Sequence, residues 1–179
     1  MDKVFLKSLR KKYPTADIQK GYTWNTLRIN SNIAKLIPYD IEDPDDIGRA
    51  KKAFEVERYV YSKLPAWWGV RLVDSYIDGN VFVIIITEYK HCKVPSLSPS
   101  AFADVEKQLR WLHSHRIAHN DLEMKNILVS CDQKHAIIID FEKSVLNASP
   151  DLMAADKGRL VGHRRSGGRR RATRKKRIT

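Results

Sequence analysis

The sequence predicts an α+β fold with two lobes, on three observations. Five short apolar or alternating segments predict strands at 17–24, 26–30, 33–39, 70–77 and 81–89. A helical period of apolar residues predicts helices at 45–64 and 100–115. Two further apolar segments, 127–130 and 136–140, flank a polar turn. A sheet with one helix, then a helix and a hairpin, is an α+β order of elements, with a hinge expected near Tyr89.

Composition divides the chain into three parts. Residues 1–90 hold the predicted sheet, its helix and a short amphipathic helix that ends near Pro14. Residues 91–160 form a smaller second lobe, with a last helix at 151–160. Residues 161–179 have no apolar pattern, so we expect this tail to be disordered. A chain of 179 residues has room for one domain, or for two small lobes that share a cleft.

The net charge of +12 is concentrated in the tail. From Lys157 onward there are 11 of the 33 Lys and Arg residues and no acidic residue, which leaves 22 basic and 21 acidic residues in the rest. The body is therefore nearly neutral. A block of like charge can bind nucleic acid or acidic surfaces, can be a nuclear localisation signal, or can simply be a solvated end. The sequence leaves these three interpretations open.

The cysteines and the apolar runs bear on the compartment. Cys92 and Cys131 are the two cysteines, far apart and without metal-ligand spacing, which predicts a reduced protein. The longest apolar run, 81–86, is far shorter than the ~20 residues of a membrane span, and the N-terminus lacks the pattern of a signal peptide. We expect an intracellular protein, cytoplasmic or nuclear, that is neither secreted nor inserted into a membrane.

The segment 118–142 carries the chemistry. Asp121 and Asn126 lie five residues apart before an apolar strand, and Asp140 ends a second apolar strand 19 residues after Asp121. Phosphoryl transfer needs such a set, because catalysis is mostly positioning and charge neutralisation on the phosphate oxygens. Carboxylate and amide oxygens suit Mg²⁺, and a further carboxylate can orient an attacking hydroxyl.

This pattern resembles the eukaryotic protein-kinase-like superfamily. His119-Asn120-Asp121-Leu122 followed by Asn126 is similar to its catalytic loop, and Asp140-Phe141-Glu142 to its metal-binding motif. The resemblance implies that the chain uses ATP and Mg²⁺, with Asp121 as catalytic base and Asn126 and Asp140 as metal ligands. It also implies a structural role for His119, packed beside Phe141.

The resemblance extends into the first lobe, over about 17–144. It implies that Lys35 holds the α- and β-phosphates and that Glu57 pairs with Lys35, although Glu55 remains a possible partner. The same resemblance implies nucleotide contacts for the four residues Gly21, Thr87, Glu88 and Tyr89, with Thr87 as gatekeeper and Glu88 and Tyr89 in the hinge.

Several residues depart from the pattern. Gly21 is the only glycine near the first strands, where the phosphate-covering loop has several. Glu142 replaces the glycine of the metal-binding motif, and Asn120 replaces an arginine. Glu123 stands two residues after Asp121, where serine/threonine kinases usually have a lysine. The predicted fold is therefore a kinase-like fold with a complete N-lobe, a truncated C-lobe and a disordered basic tail.

These features predict a minimal serine/threonine protein kinase that moves the γ-phosphate of ATP to a hydroxyl. The truncation is similar to that of KEOPS-type, RIO-type and pathogen or viral mini-kinases. The residues of the two motifs are similar to those of choline, ethanolamine and aminoglycoside kinases. A small-molecule kinase and a pseudokinase that acts as a nucleotide-binding interaction module are the alternatives. The expected partners are a protein substrate, a protein that completes the C-lobe, and nucleic acid or acidic surfaces for the tail.

Two other motifs have competing interpretations. His113, His115 and His119 can be read as zinc ligands, but no cysteine or fourth ligand accompanies them. Trp67 and Trp68 can stack on a ligand, although a pair just after a helix is more typical of a core.

Overall fold

A computed structural model describes residues 3–21 and 25–172, with side chains except at 3–6, 8 and 163–172. The chain forms two compact units, Met1–Glu88 and Tyr89–Thr179. Among the described residues, no helix is both long enough and apolar enough to cross a bilayer. The two units are described in turn.

The first unit is a five-stranded antiparallel sheet with two helices. Its elements are α1 (Lys3–Lys12), β1 (Ile18–Lys20), β2 (Thr26–Ile29), β3 (Asn32–Pro38), α2 (Pro44–Lys63), β4 (Leu72–Asp78) and β5 (Val81–Thr87). The strand order is β1-β2-β3-β5-β4, so β5 pairs with both β3 and β4. The predicted strands are thus present with shifted ends, and residues 22–24 of the first lie outside the described part.

Local sequence explains how α2 begins and where it packs. The Asp43 side chain caps the helix by accepting hydrogen bonds from the backbone N–H groups of Asp45 (2.9 Å) and Asp46 (3.2 Å). Phe54 of α2 stacks on Phe82 of β5 with ring centroids 4.9 Å apart. This contact fixes the face of the helix that carries Glu57 toward the sheet.

Helix α1 packs against the same sheet. Leu9 is fully buried in a cluster with apolar residues of the strands, including Leu27, Val83 and Ile85. The face of the sheet that packs on α1 is therefore built from alternate residues of β2, β3 and β5, whereas β5 also buries Phe82 and Ile84.

The second unit contains two helices and two small sheets. Its elements are α3 (Pro99–Ser114), β6 (Ile117–Ala118), β7 (Ile127–Val129), β8 (Ala136–Ile138), β9 (Val145–Leu146) and α4 (Pro150–Ala172). β7 pairs with β8, and β6 pairs with β9. The pair β6–β9 was not predicted, because strands of two residues give no periodic signal. Gln108 of α3 holds β8 in place, since its amide bonds Ala136 O and Ile138 N, both at 2.7 Å.

Helix α4 corrects the prediction for the tail. The sequence predicts a helix at 151–160 and disorder from 161, whereas the backbone is helical from Pro150 to Ala172. The five arginines of 161–172 favour helix and no proline follows Pro150 to end it, whereas Gly162, Gly167 and Gly168 disfavour it. The rest of the predicted tail, 173–179, lies outside the described residues.

A disulfide between Cys92 and Cys131 contradicts the prediction of a reduced protein. The two Cα atoms lie 4.8 Å apart. Cys92 pairs as an isolated bridge with Val129 of β7, donating its N–H to Val129 O at 2.9 Å. That pairing brings together cysteines 39 residues apart, and a contact over such a separation leaves no trace in the local sequence.

The two tryptophans have different environments. Trp68 is fully buried, whereas Trp67 is 44% exposed. The interpretation of the pair as core therefore holds for Trp68 alone.

Candidate active site

Lys35 and Glu57 form an ion pair in the first unit. Lys35 Nζ on β3 lies 2.9 Å from Glu57 Oε2 on α2, and the Glu57 side chain is completely buried. A buried carboxylate requires such a partner, because an unpaired charge in the interior costs several kcal/mol. Glu55, the other predicted partner, is exposed and faces Lys51 at 3.9 Å. The geometry therefore selects Glu57.

Gly21 ends β1 at a close approach to β2. Its N–H donates to Thr26 O at 3.0 Å, and an added Cβ would lie 2.7 Å from the Thr26 carbonyl carbon. Only glycine fits there without a shift of the backbone. Residues 22–24, which complete the predicted phosphate-covering loop, lie outside the described residues.

The predicted hinge follows β5. Thr87 ends that strand, and its hydroxyl accepts the N–H of Arg71 at 3.1 Å. The Glu88 carboxylate binds Arg28 at 2.8 Å and is almost fully buried, so this side chain has a partner within the first unit. The Glu88 N–H already donates to Ser31 O at 2.9 Å, so what Glu88 can offer a nucleotide is its backbone carbonyl. Tyr89 begins the second unit, and burial raises the pKa of its hydroxyl.

In the second unit, Asn126 is bonded to Asp121. Asn126 Nδ2 donates to the backbone oxygen of Asp121 at 2.9 Å and to its Oδ2 at 3.3 Å. Because the amide nitrogen faces Asp121, the amide oxygen is the atom that Asn126 can offer to a cation. The contact follows from the short 3-10 helix 124–126, which turns the chain back before β7.

Asp140 follows β8 in a strained backbone conformation. Its φ is 68°, and that of Asn120 in the loop before Asp121 is 62°. Non-glycine residues adopt this left-handed region at a cost of about 1–3 kcal/mol, and they concentrate at functional sites. Asn120 directly precedes the predicted catalytic base, and Asp140 is itself a predicted metal ligand.

His119 joins the two loops. Its ring lies 5.4 Å from that of Phe141, and Nε2 is 3.0 Å from Ile139 O. The N–H of Asp121 donates to Nδ1 at 3.3 Å. Burial lowers the pKa of His119, although the bond to Ile139 and nearby carboxylates oppose the shift. A neutral ring that donates from Nε2 and accepts at Nδ1 satisfies both contacts.

Asp156 of α4 anchors the catalytic loop, and sequence reasoning missed it. Its fully buried carboxylate accepts the N–H groups of His119 (2.7 Å) and Asn120 (2.9 Å). His113 Nε2 lies 3.3 Å away. Burial would raise the pKa of Asp156, but these hydrogen bonds lower it overall. An aspartate on the buried side of the predicted helix 151–160 was the available signal.

Lys143 was also missed. Its Nζ lies 3.1 Å from Asp121 Oδ2, and Lys125 Nζ lies 3.6 Å from the same oxygen. Burial would raise the pKa of Asp121, but the two lysines and Asn126 lower it overall. Asp121 is therefore held as a carboxylate beside two ammonium groups.

The three histidines do not share a site. His113 faces Asp156, His115 Nδ1 lies 2.8 Å from Trp111 O, and His119 bonds Ile139. Each has a separate partner, which argues against the zinc interpretation.

The fold and these contacts define the class of protein. A five-stranded sheet with a Lys–Glu pair, followed by a unit with an Asp–Asn loop and an Asp-Phe-Glu turn, is a protein-kinase-like fold with a truncated second lobe.

Comparisons with known proteins agree with this class. The model of the lipopolysaccharide kinase (Kdo/WaaP) family matches residues 88–157, which include Asp121, Asn126 and Asp140. Monomeric WbdD is similar in structure, with a TM-score of 0.62, 16% identity, and coverage of 77% of this chain and 36% of that chain. A search of curated proteins found no significant match. The matching family is thus none of the KEOPS, RIO or viral groups suggested by the truncation.

Two further structures support the fold. WbdD in complex with the kinase inhibitor LY294002 has a TM-score of 0.64 and 16% identity, and the match covers 81% of this chain and 37% of that one. The bifunctional kinase-methyltransferase WbdD has a TM-score of 0.59 and 14% identity, with coverage of 77% and 34%. The chain therefore spans little more than a third of the length of these proteins.

Proposed function

We propose that this protein is an ATP-dependent phosphotransferase that moves the γ-phosphate to a saccharide hydroxyl. The observation that carries the proposal is the bonding of Asn126 to Asp121, at 2.9 and 3.3 Å, in a loop that the lipopolysaccharide kinase family matches. This contact holds a carboxylate and an amide oxygen in fixed relative positions, which phosphoryl transfer requires.

The residues present fit Mg²⁺. The donors are the Asp140 carboxylate and the amide oxygen of Asn126, whose nitrogen is committed to Asp121. Both are hard oxygen ligands of the kind that Mg²⁺ prefers. When bound, Mg²⁺ would neutralise charge on the phosphates of ATP.

Asp121 would orient the acceptor. Its carboxylate would accept a hydrogen bond from the attacking hydroxyl and take up the proton as the oxygen–phosphorus bond forms. The neighbouring Lys143 and Lys125 keep Asp121 ionised, so it is ready to accept. His119 and Asp156 would hold the loop rigid while this occurs.

The first unit would hold the nucleotide. Lys35, positioned by its 2.9 Å contact with Glu57, would bind the α- and β-phosphates. The backbone carbonyl of Glu88 and the N–H of Tyr89 would contact the adenine, with Thr87 beside them. Gly21, which no other residue can replace without a backbone shift, would let the β1–β2 turn approach the phosphates.

A protein serine or threonine is the second candidate acceptor. The observation that favours it is the Lys35–Glu57 ion pair, because a strand lysine paired with a helix glutamate is a feature of protein kinases. Glu123, where serine/threonine kinases usually have a lysine, opposes it. The family match over 88–157 supports a saccharide instead.

Transfer from labelled ATP distinguishes the two acceptors. The purified protein is incubated with γ-labelled ATP and Mg²⁺, with either deacylated lipopolysaccharide or a generic basic protein. The proposal predicts label in the saccharide, and none with Asp121→Ala or Asp140→Ala. Label in the basic protein alone would show that the acceptor is a protein and not a saccharide. Nucleotide binding without any transfer would favour the pseudokinase alternative.

For the basic C-terminal segment we propose contact with nucleic acid or another acidic surface. Truncation before Gly162 keeps Asp156 and the buried Leu160. It should abolish salt-dependent binding to a polyanion such as heparin and leave phosphotransfer intact.

A further inference from the structure

Lys143 forms a hydrogen bond with the predicted catalytic base, Asp121, although it lies outside the catalytic loop. It lies three residues after Asp140, and its Nζ is within hydrogen-bond distance of Asp121 Oδ2, at 3.1 Å. Lys125 is farther from that oxygen, at 3.6 Å, and is shared with Glu123 at 3.2 Å. Of these two lysines, Lys143 therefore has the stronger interaction with Asp121.

The backbone around Lys143 is fixed to the catalytic loop. Asn120 Nδ2 donates to Lys143 O at 3.3 Å, and Ser144 N donates to Phe141 O at 2.9 Å in a turn. The Lys143 side chain is 56% exposed, so its ammonium group can reach a bound molecule. The backbone of Lys143 is thus held in place, while its ammonium group remains accessible.

We propose that Lys143 is a further catalytic residue, whose ammonium group contacts the phosphoryl group in transfer. The inference rests on the proposed function. The attacking hydroxyl must bond Asp121 and lie about 3–3.5 Å from phosphorus. An ammonium group already on the Asp121 carboxylate is then one side-chain rotation from the phosphoryl oxygens.

The chemical step balances without a change in Lys143. The acceptor oxygen forms a bond to the γ-phosphorus, the bond from that phosphorus to the β–γ bridging oxygen breaks, and ADP leaves with the electron pair. The hydroxyl proton goes to Asp121. Lys143 stays protonated and stabilises the negative charge on the transferring oxygens, which is the largest kind of catalytic effect at such sites. Glu123, where serine/threonine kinases usually have a lysine, cannot supply this charge.

A structural role alone makes a different prediction. Exposed ion pairs contribute little to stability, so Lys143→Met should leave the fold intact whether or not the inference holds. A catalytic role and a purely structural role of Lys143 are therefore distinguished by the rate of phosphate transfer and by the affinity for a transition-state mimic.

The test compares Lys143→Met, Lys143→Arg and the remote control Lys134→Met with the wild type. We measure transfer from γ-labelled ATP to deacylated lipopolysaccharide, release of labelled phosphate, and affinity for Mg-ADP with and without aluminium fluoride. Circular dichroism verifies the fold of each variant.

We expect Lys143→Met to lower kcat about 100-fold or more with KM for ATP within about threefold. Its affinity for ADP with aluminium fluoride should fall at least about tenfold while that for ADP alone is unchanged. Lys143→Arg should recover most of both losses, and Lys134→Met should match the wild type.

Wild-type rates and wild-type affinity for the fluoride complex in Lys143→Met would overturn the inference and leave the proposed function standing. An inactive wild type that also gains no affinity from aluminium fluoride would overturn both.

Discussion

The carboxylate of Asp156 lies 2.7 Å from the backbone nitrogen of His119, although the two residues are 37 positions apart. The same side chain holds Asn120 at 2.9 Å, so a single residue of α4 fixes the two positions before Asp121. A buried acceptor for two consecutive N–H groups leaves the loop no freedom to turn. The orientation of the proposed base is thus determined by a helix that follows it in the chain.

Replacing Asp156 should therefore loosen the catalytic loop. Asp156→Asn presents an amide nitrogen to one of the two N–H groups, and we expect a loss of about 2–4 kcal/mol in the free energy of unfolding. Activity should fall with it. Urea unfolding measures the first effect and the labelled-ATP assay the second. An Asp151→Asn variant, at an exposed position of α4, should behave as the wild type.

The same carboxylate should make stability depend on acid. The pKa of Asp156 is lower in the folded than in the unfolded chain, so its contribution is complete above the unfolded value of about 3.9. It is lost as the pH falls through the folded value. Asp156→Asn should flatten the loss of stability below about pH 4. Parallel acid curves for the two proteins would contradict this account.

Glu57→Gln should weaken nucleotide binding through Lys35. The substitution removes the buried charge 2.9 Å from Lys35 Nζ, so the lysine is no longer held in one position. We expect a rise of about tenfold or more in KM for ATP, together with a lower kcat. Glu55→Gln is the matched control, because Glu55 lies on the same helix and is exposed. Equal effects of the two variants would show that Glu57 has no specific role in nucleotide binding.

Reduction should destabilise the second unit. The Cys92–Cys131 disulfide closes a loop that contains α3, Asp121 and Asn126, and such cross-links contribute about 2–4 kcal/mol. Dithiothreitol should lower the melting temperature of the wild type and leave the Cys92→Ser/Cys131→Ser variant unchanged. Thiol titration of the denatured, unreduced protein should detect no free thiol. Two free thiols would show that the bond does not form.

Helix α1 should depend on Asp74. The Asp74 carboxylate lies 2.9 Å from Lys12 Nζ and accepts the Tyr13 hydroxyl at 2.9 Å. Burial, and then Asp74, raise the pKa of Tyr13 to about 12, so its contribution is complete below the unfolded value of about 10 and is lost as the pH rises through 12. Asp74→Asn should increase hydrogen exchange in α1 by less than a factor of about ten. Unchanged exchange would mean that Asp74 does not stabilise the helix.

The sequence was sufficient where the signal is local. Strand β3 follows from alternating burial, β5 follows from the continuous apolar run 81–86, and the start of α2 follows from Asp43 before Pro44. It was not sufficient where contacts cross long separations. Asp156 reaches back 37 residues and Cys92 pairs across 39, and neither leaves a periodic pattern.

The candidate site shows the same difference between local features, which could be predicted, and long-range contacts, which could not. The spacing of Asp121, Asn126 and Asp140 could be read directly, because the loop is a short continuous segment. The approach of Lys143 to Asp121 depends on the bend of the chain at Asp140, whose φ of 68° no local sequence pattern predicts. The identity of the acceptor could not be predicted, because it depends on surface residues outside the motifs.

The central claim is that Asp121 activates a hydroxyl while other residues bind the nucleotide. The most direct measurement is single-turnover transfer of labelled phosphate by the wild type and by Asp121→Asn, with Mg-ATP affinity measured in parallel. Asp132→Asn, in the exposed turn between β7 and β8, is the control. The account predicts a rate at least about 100-fold lower in Asp121→Asn with unchanged affinity for Mg-ATP. A rate equal to that of the wild type would contradict it.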